Sequence, residues 1–186
     1  ANLVSSRTRR LARDLVADLV PPRLGPGGWN ELAAATIDTA AMSILATVIA
    51  ATGGLAVAAL AARAWRPGTG RTRQGASWLA RLLLLLFRAV PAPIWAFLAV
   101  LVMFPGIWPG AVALGVYNIG VLGRLYAEVL ENHDDRVRRH LASTGASGLQ
   151  RFAYAVVPTT APRLTSLTLY RWEVITRETV IVGVVG

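Results

Sequence analysis

Residues 39–62, TAAMSILATVIAATGGLAVAALAA, run without a single ionisable side chain. At ~1.5 Å of rise per residue, a helix of that length clears the ~30 Å hydrocarbon core of a bilayer. Small residues recur through it at four-residue spacing, Ala46, Ala50, Gly54, Ala58 and Ala62, an interval that keeps them on one helix face. In lipid, where no hydrophobic effect drives helices together, such a ladder lets a second backbone approach closely. An alanine-rich span in an alanine-rich chain is the alternative reading.

Outward from this segment the pattern repeats. Charges also thin out over 78–104, 107–123 and 164–186, although the chain as a whole carries 19 basic and 10 acidic side chains among 54% apolar residues. A soluble protein of this size has too little polar surface to cover four such segments. The reading is therefore all-α: a polytopic helical membrane protein with spans at about 36–62, 78–104, 107–131 and 164–186.

The charges orient these spans. Every basic residue is arginine. The loop after the first span holds Arg63, Arg66, Arg71 and Arg73, with Arg81 just inside the next span, and no acid, which marks it as cytoplasmic. Span 78–104 is interrupted by Pro91 and Pro93 and ends in the uncharged aromatic turn Phe104-Pro105-Gly106-Ile107-Trp108-Pro109-Gly110, suited to the opposite interface. Span 107–131 then leads to a polar loop, 132–163, with Arg136, Arg138, Arg139, Arg151 and Arg163. Both arginine-rich loops fall on one side, giving an N-terminus outside and then in, out, in, out. Residues 1–24 place Arg7, Arg9, Arg10 and Arg13 beside Leu11, Leu15, Val16, Leu19 and Val20 and end at Pro21-Pro22, an amphipathic interfacial helix preceding a transmembrane domain of residues 25–186. Its arginines fall on the outer face in this topology, against the positive-inside rule, unless an upstream span reverses that segment or the helix lies in the interface.

Several chemistries are excluded. An isoelectric point near 11.4 would fit a nucleic-acid binder, but the arginines flank apolar spans rather than forming an aromatic-interleaved face, so no nucleic-acid partner is expected. Cysteine is absent, and His133 and His140 form no HExxH pattern, so no metal is expected. With no lysine there is no GxxxxGK[ST] phosphate loop, and no Ser/His/Asp set or paired carboxylates suggest a catalytic pocket. No enzyme activity and no cofactor are expected on this chain.

Loop 132–163 is too long for a tight turn and has its own helical pattern, with Leu141, Leu149, Phe152, Val156 and Val157 among polar residues. Gly145 allows a helix to turn because glycine tolerates positive φ, and a second amphipathic helix is expected to run until Pro158 stops it. The spacing predicts a compact helix–turn–helix, read either as a docking element or as a hairpin with no docking role. The run Leu141-Ala142-Ser143-Thr144-Gly145-Ala146-Ser147-Gly148-Leu149, with Pro158 thirteen residues after the glycine, resembles the EAA loop of binding-protein-dependent ABC importer permeases. Arg139 and His140 stand where that motif begins with Glu-Ala. Arg88-Ala89-Val90-Pro91, Trp95-Ala96, Gly120-Val121-Leu122-Gly123, Ala127-Glu128 and Leu169-Tyr170-Arg171-Trp172-Glu173 are similar to the phosphonate-type branch, although Ala92 and Glu178 depart from it.

The resemblance implies the type I (MetI-like) permease fold, with four spans here of a five-span core and a further returning helix beyond Gly186. It implies a coupling loop, Leu141 to Leu149 with Pro158, that docks on an ATPase. Its partners would be a second permease copy, identical or closely homologous, two cytoplasmic ATPase subunits carrying ATP and Mg, and an extracytoplasmic substrate-binding protein, all in a bacterial inner membrane. Phosphonate or phosphate-like anions are the implied cargo. Methionine, another small substrate, a secondary transporter or a non-transporting ATPase anchor are the other readings, and no internal repeat supports the secondary transporter.

Charges within the spans are the candidate path residues. Arg88 lies about ten residues into a span, where a charge is costly, or else snorkels to the interface. In the last span Arg171 and Glu178 share one helix face, and Glu173 and Arg177 pair on nearly the opposite one. They either line an anion path or hold helices together. Arg124 and Glu128 read as a local i,i+4 pair.

Overall fold

The computed structural model describes residues 6–19, 26–62, 71–104, 106–132 and 136–183. Arg63, Arg66, Pro21-Pro22, Pro105 and His133 lie outside the described residues. The chain divides into two units, Ala1–Asp38 and Thr39–Gly186. In the first, α1 (Ser6–Leu19) exposes Arg7, Arg9, Arg10 and Arg13 together with Leu11 and Val16. The start of α2 (Gly28–Ala61) is capped by Glu31, whose carboxylate accepts the Gly27 N–H at 3.0 Å, a favourable charge at a helix N-terminus.

The second unit holds the rest of α2, then α3 (Arg71–Ala89), α4 (Ala92–Val102), α5 (Ile107–Glu131), α6 (Arg136–Ser143), α7 (Gly148–Arg151), a π-helical turn (Phe152–Val156) and α8 (Val157–Gly183). Its interior combines many small residues with a few large ones, Leu114, Leu122, Leu130 and Ile175. Ala46, Ala50, Gly54, Ala58 and Ala62 are all buried, whereas Ile44, Val48, Leu55 and Leu60 of the same segment face outward. Leucine outside and alanine inside is the pattern of helices packed by close approach in an apolar solvent rather than by hydrophobic collapse in water. The contacts are backbone-close: a Cβ on Gly54 would lie 3.0 Å from Gly123 N, and one on Gly120 would lie 2.7 Å from both Leu84 O and Arg88 N. Thus α5 is the central helix, with α2 against Gly123 and α3 against Gly120.

Among the described residues two helices, Gly28–Ala61 and Ile107–Glu131, are long and apolar enough to cross a membrane. The second sequence span is one crossing only with a sharp turn in it, because residues 74–89 and 92–102 meet at 91°. The reason is local. Pro91 takes an extended conformation (φ −58°, ψ 145°), Pro93 removes a second donor, and α4 starts afresh. Trp95 bridges the break: its indole N–H donates to Phe87 O at 3.2 Å, and its ring meets Phe87 edge-on at 6.1 Å.

The last span also differs from its sequence reading. Pro158 does not stop a helix; it sits in the first turn of α8, which continues through Pro162 to Gly183. The π-turn explains this, since Val157 N–H reaches back to Phe152 O and the wider turn absorbs the missing proline donor. At 27 residues α8 is long enough to span, but its charged residues keep it from standing out by apolarity.

Candidate functional site

Two features stand out chemically. The first is the hairpin of α6 and α7. Gly145 N–H donates to Ala142 O and Ala146 N–H to Leu141 O, both at 3.2 Å, the two bonds of a Schellman turn, with Gly145 at φ +80°. The Ser143 hydroxyl donates to His140 O, and the Thr144 hydroxyl adds a second bond to Leu141 O. Ser147 then starts α7 through a capping box: its Oγ accepts Gln150 N–H at 3.3 Å, while Gln150 Oε1 accepts Ser147 N–H at 2.8 Å. The motif residues are thus the local code for turning a helix. Ala142, Ser143, Thr144, Gly145, Ser147 and Gly148 are exposed, and Leu141 and Ala146 partly so. Pro158 lies apart from the turn, at the head of α8.

The second feature is a closed polar network between α5 and α8. Arg171 Nε donates to Asn118 Oδ1, and Arg171 Nη2 meets Glu178 Oε1 at 3.1 Å. Asn118 Nδ2 donates to Leu114 O at 2.8 Å and to Glu178 Oε2 at 3.3 Å. The Tyr117 ring lies under the guanidinium, 5.9 Å from ring centre to Cζ. Asn118 is fully buried, and the Arg171 and Glu178 side chains are 13% and 24% exposed, so this ion pair is largely desolvated. A cavity of about 200 Å³ opens beside it at the α3–α4 bend, lined by Pro91, Ala92, Pro93, Tyr117, Glu178 and Val182.

The other candidates lie elsewhere. Glu173 and Arg177 pair with each other on the outward face of α8, with 60% and 75% of their side chains exposed. Arg88 lies one turn before the bend on a separate cavity between α3 and α5. The structure therefore joins Arg171 to Glu178 but not to Glu173, Arg177 or Arg88. Sequence reasoning missed Asn118, although a lone amide in an apolar span is itself a signal. It also missed the indole of Trp172 donating to Ser43 Oγ at 3.2 Å, and the Tyr126–Thr168 hydroxyl contact that ties α5 to α8.

Among the described residues, an all-helical chain with closely packed small residues, many exposed leucines, a desolvated charge network and an exposed hairpin has the architecture of a polytopic membrane protein. The chain belongs to the family of binding-protein-dependent transport system inner membrane components, whose model matches residues 54–186. It is 33% identical over 172 residues, 92% of its length, to the phosphite transport system permease protein PtxC of Stutzerimonas stutzeri, and 32% identical over 173 residues to the phosphate-import permease protein PhnE of Mycolicibacterium smegmatis. It spans 60% and 31% of those relatives' own lengths. Its fold resembles that in a crystal structure of an amino acid ABC transporter with histidines, with a TM-score of 0.65 and 18% identity, over 81% of this chain and 69% of that one. The all-α, MetI-like permease architecture expected from the sequence is the one found.

Proposed function

We propose that this chain is the transmembrane subunit of a bacterial inner-membrane ABC importer for phosphonate, phosphite or phosphate-like anions, and that it couples to a cytoplasmic ATPase. The observation that carries this reading is the exposed hairpin turned at Gly145, on a chain whose other helices pack closely through alanine and glycine and leave many leucines exposed. The hairpin offers a rigid, capped protrusion with few internal partners to satisfy, as a docking element requires. Leu141 to Leu149 form the coupling surface, and Pro158 sets the start of the helix through which movement of that surface reaches the membrane.

ATP and Mg bind to the partner ATPases, and this chain contributes neither catalysis nor a cofactor. Two permease copies, two ATPases and an external binding protein complete the machine in the bilayer. The cargo class follows from the relatives' names and from Arg171. At that residue Glu178 competes with an incoming oxyanion for the same guanidinium, which keeps binding weak enough for release, and the cavity beside Glu178 supplies the space. Glu173, Arg177 and Arg88, which do not touch Arg171, enter this reading only as further charges within the spans.

The test is uptake by the assembled complex. Arg171→Gln should abolish transport of phosphonate and phosphate while the complex still assembles. Unchanged uptake would remove Arg171 from the path and leave it a structural pair.

A further inference from the structure

The cavity between α3 and α5 measures about 320 Å³. From α3 it is lined by Arg81 and Arg88, two turns apart, and from α5 by Arg124, Glu128 and Glu131. The helices run in opposite directions, so the two charged ladders face each other. At one end Arg81 Nη2 closes on Glu131 Oε1 at 2.5 Å, across the helices. Along α5, Arg124 Nε meets Glu128 Oε1 at 3.0 Å. Arg88 has no carboxylate partner among the described residues. Three guanidiniums against two carboxylates leave the lining at +1.

The placement of Arg88 is enforced. The close approach at Gly120, with Arg88 N and Leu84 O each 2.7 Å from where a Cβ would stand, pins the α3 backbone onto α5. Gly120 lies one turn from Arg124 and shares its face. The arginines of both helices therefore line one cavity by backbone packing, with Leu84 and Leu85 forming its apolar wall. A cationic lining in an apolar span is unfavourable unless an anion or water compensates it.

We propose that this cavity binds a phosphoryl oxyanion between Arg88 and Arg124, with Glu128 as the internal competitor for Arg124. Guanidinium forks match the oxygens of a phosphoryl group, and basic clefts between membrane helices suit such groups whether they arrive as free phosphate or as a lipid headgroup. The site shares Arg88 with the proposed path and otherwise stands apart from it, being separate from Arg171 and Glu178.

The experiment uses the full-length chain in its native assembly, with two probes. Inorganic phosphate is titrated calorimetrically in phosphatidylcholine nanodiscs, and phosphatidylglycerol retained per assembly is counted by native mass spectrometry against phosphatidylcholine. Saturable phosphate binding identifies a free anion, and preferential retention of phosphatidylglycerol identifies a headgroup; either supports the site when Arg88→Gln and Arg124→Gln each weaken it about tenfold or more. Glu128→Gln should tighten binding several-fold, an effect that misfolding does not mimic. No response to either probe, or a response that Arg88→Gln or Arg124→Gln leaves unchanged, overturns the proposal. Neither readout is uptake, so failure of the transport reading is distinguishable from failure here.

Discussion

Arg171 and Glu178 lie two turns apart on α8, 3.1 Å between charged atoms, and both bond the side-chain amide of Asn118 on α5. Seven residues is just under two helical turns, so the pair shares a face, and Asn118 ties that face to the central helix. Removing one member of a largely buried ion pair leaves a charge without compensation, which makes such pairs costly to break even where they add little net stability.

Asn118 is therefore a stability determinant. Asn118→Leu removes two bonds to charged groups and should destabilise the fold by about 2–3 kcal/mol. A fall of several degrees in the unfolding midpoint in detergent is the expected result. A double-mutant cycle with Glu178→Gln should show non-additivity, because the two side chains share one network.

The glycines of α5 set the helix spacing. With a Cβ on Gly120 only 2.7 Å from two α3 backbone atoms, Gly120→Ala forces helices α3 and α5 apart. The expected loss is about 1–3 kcal/mol, read as a lower yield of folded protein. Ala at Gly148, where nothing lies within 4 Å, should have no such effect.

A variant at the proposed docking hairpin separates folding from coupling. At Gly145 an added Cβ meets nothing within 4 Å, so its only cost is the φ of +80°, roughly 1–2 kcal/mol for a left-handed L-residue. Gly145→Ala should insert into the membrane at the wild-type level yet lose transport-coupled ATP hydrolysis. Normal coupling in that variant would argue against a docking role for the turn.

The two arginines of α8 should behave differently. Arg177 and Glu173 form an exposed i,i+4 pair, a kind that contributes little, so Arg177→Gln should leave the unfolding midpoint unchanged. Arg171→Gln should lower it, because the Asn118 and Glu178 groups lose their partner. Purified variants compared by thermal unfolding test this ordering.

Much of this was legible in the sequence where the cause was local. The ladder from Ala46 to Ala62 is a four-residue repeat, and all five members are buried. The Arg124–Glu128 and Glu173–Arg177 pairs and the shared face of Arg171 and Glu178 follow from helix periodicity alone. What escaped depends on distant residues or on how a break is repaired. Prolines at 91 and 93 mark an interruption, but the 91° angle depends on where α4 packs, with Ala92 and Ala96 in the core, and on Trp95 reaching the freed carbonyl of Phe87. Pro158 reads as a stop until the π-turn before it is seen. Asn118, 53 residues from Arg171, and Arg81, 50 from Glu131, meet only through tertiary packing. The capping box at Ser147 and Gln150 has a spacing that is legible in the sequence.

In the proposed function, import of phosphorus oxyanions is driven by an ATPase docked at the Gly145 hairpin. The most direct measurement is ATP hydrolysis by the reconstituted complex with its binding protein, comparing phosphonates, phosphate and methionine. Stimulation by phosphonates or phosphate and not by methionine is the expected result. Stimulation by methionine alone, or none by any of the three in a complex that hydrolyses ATP, would contradict it.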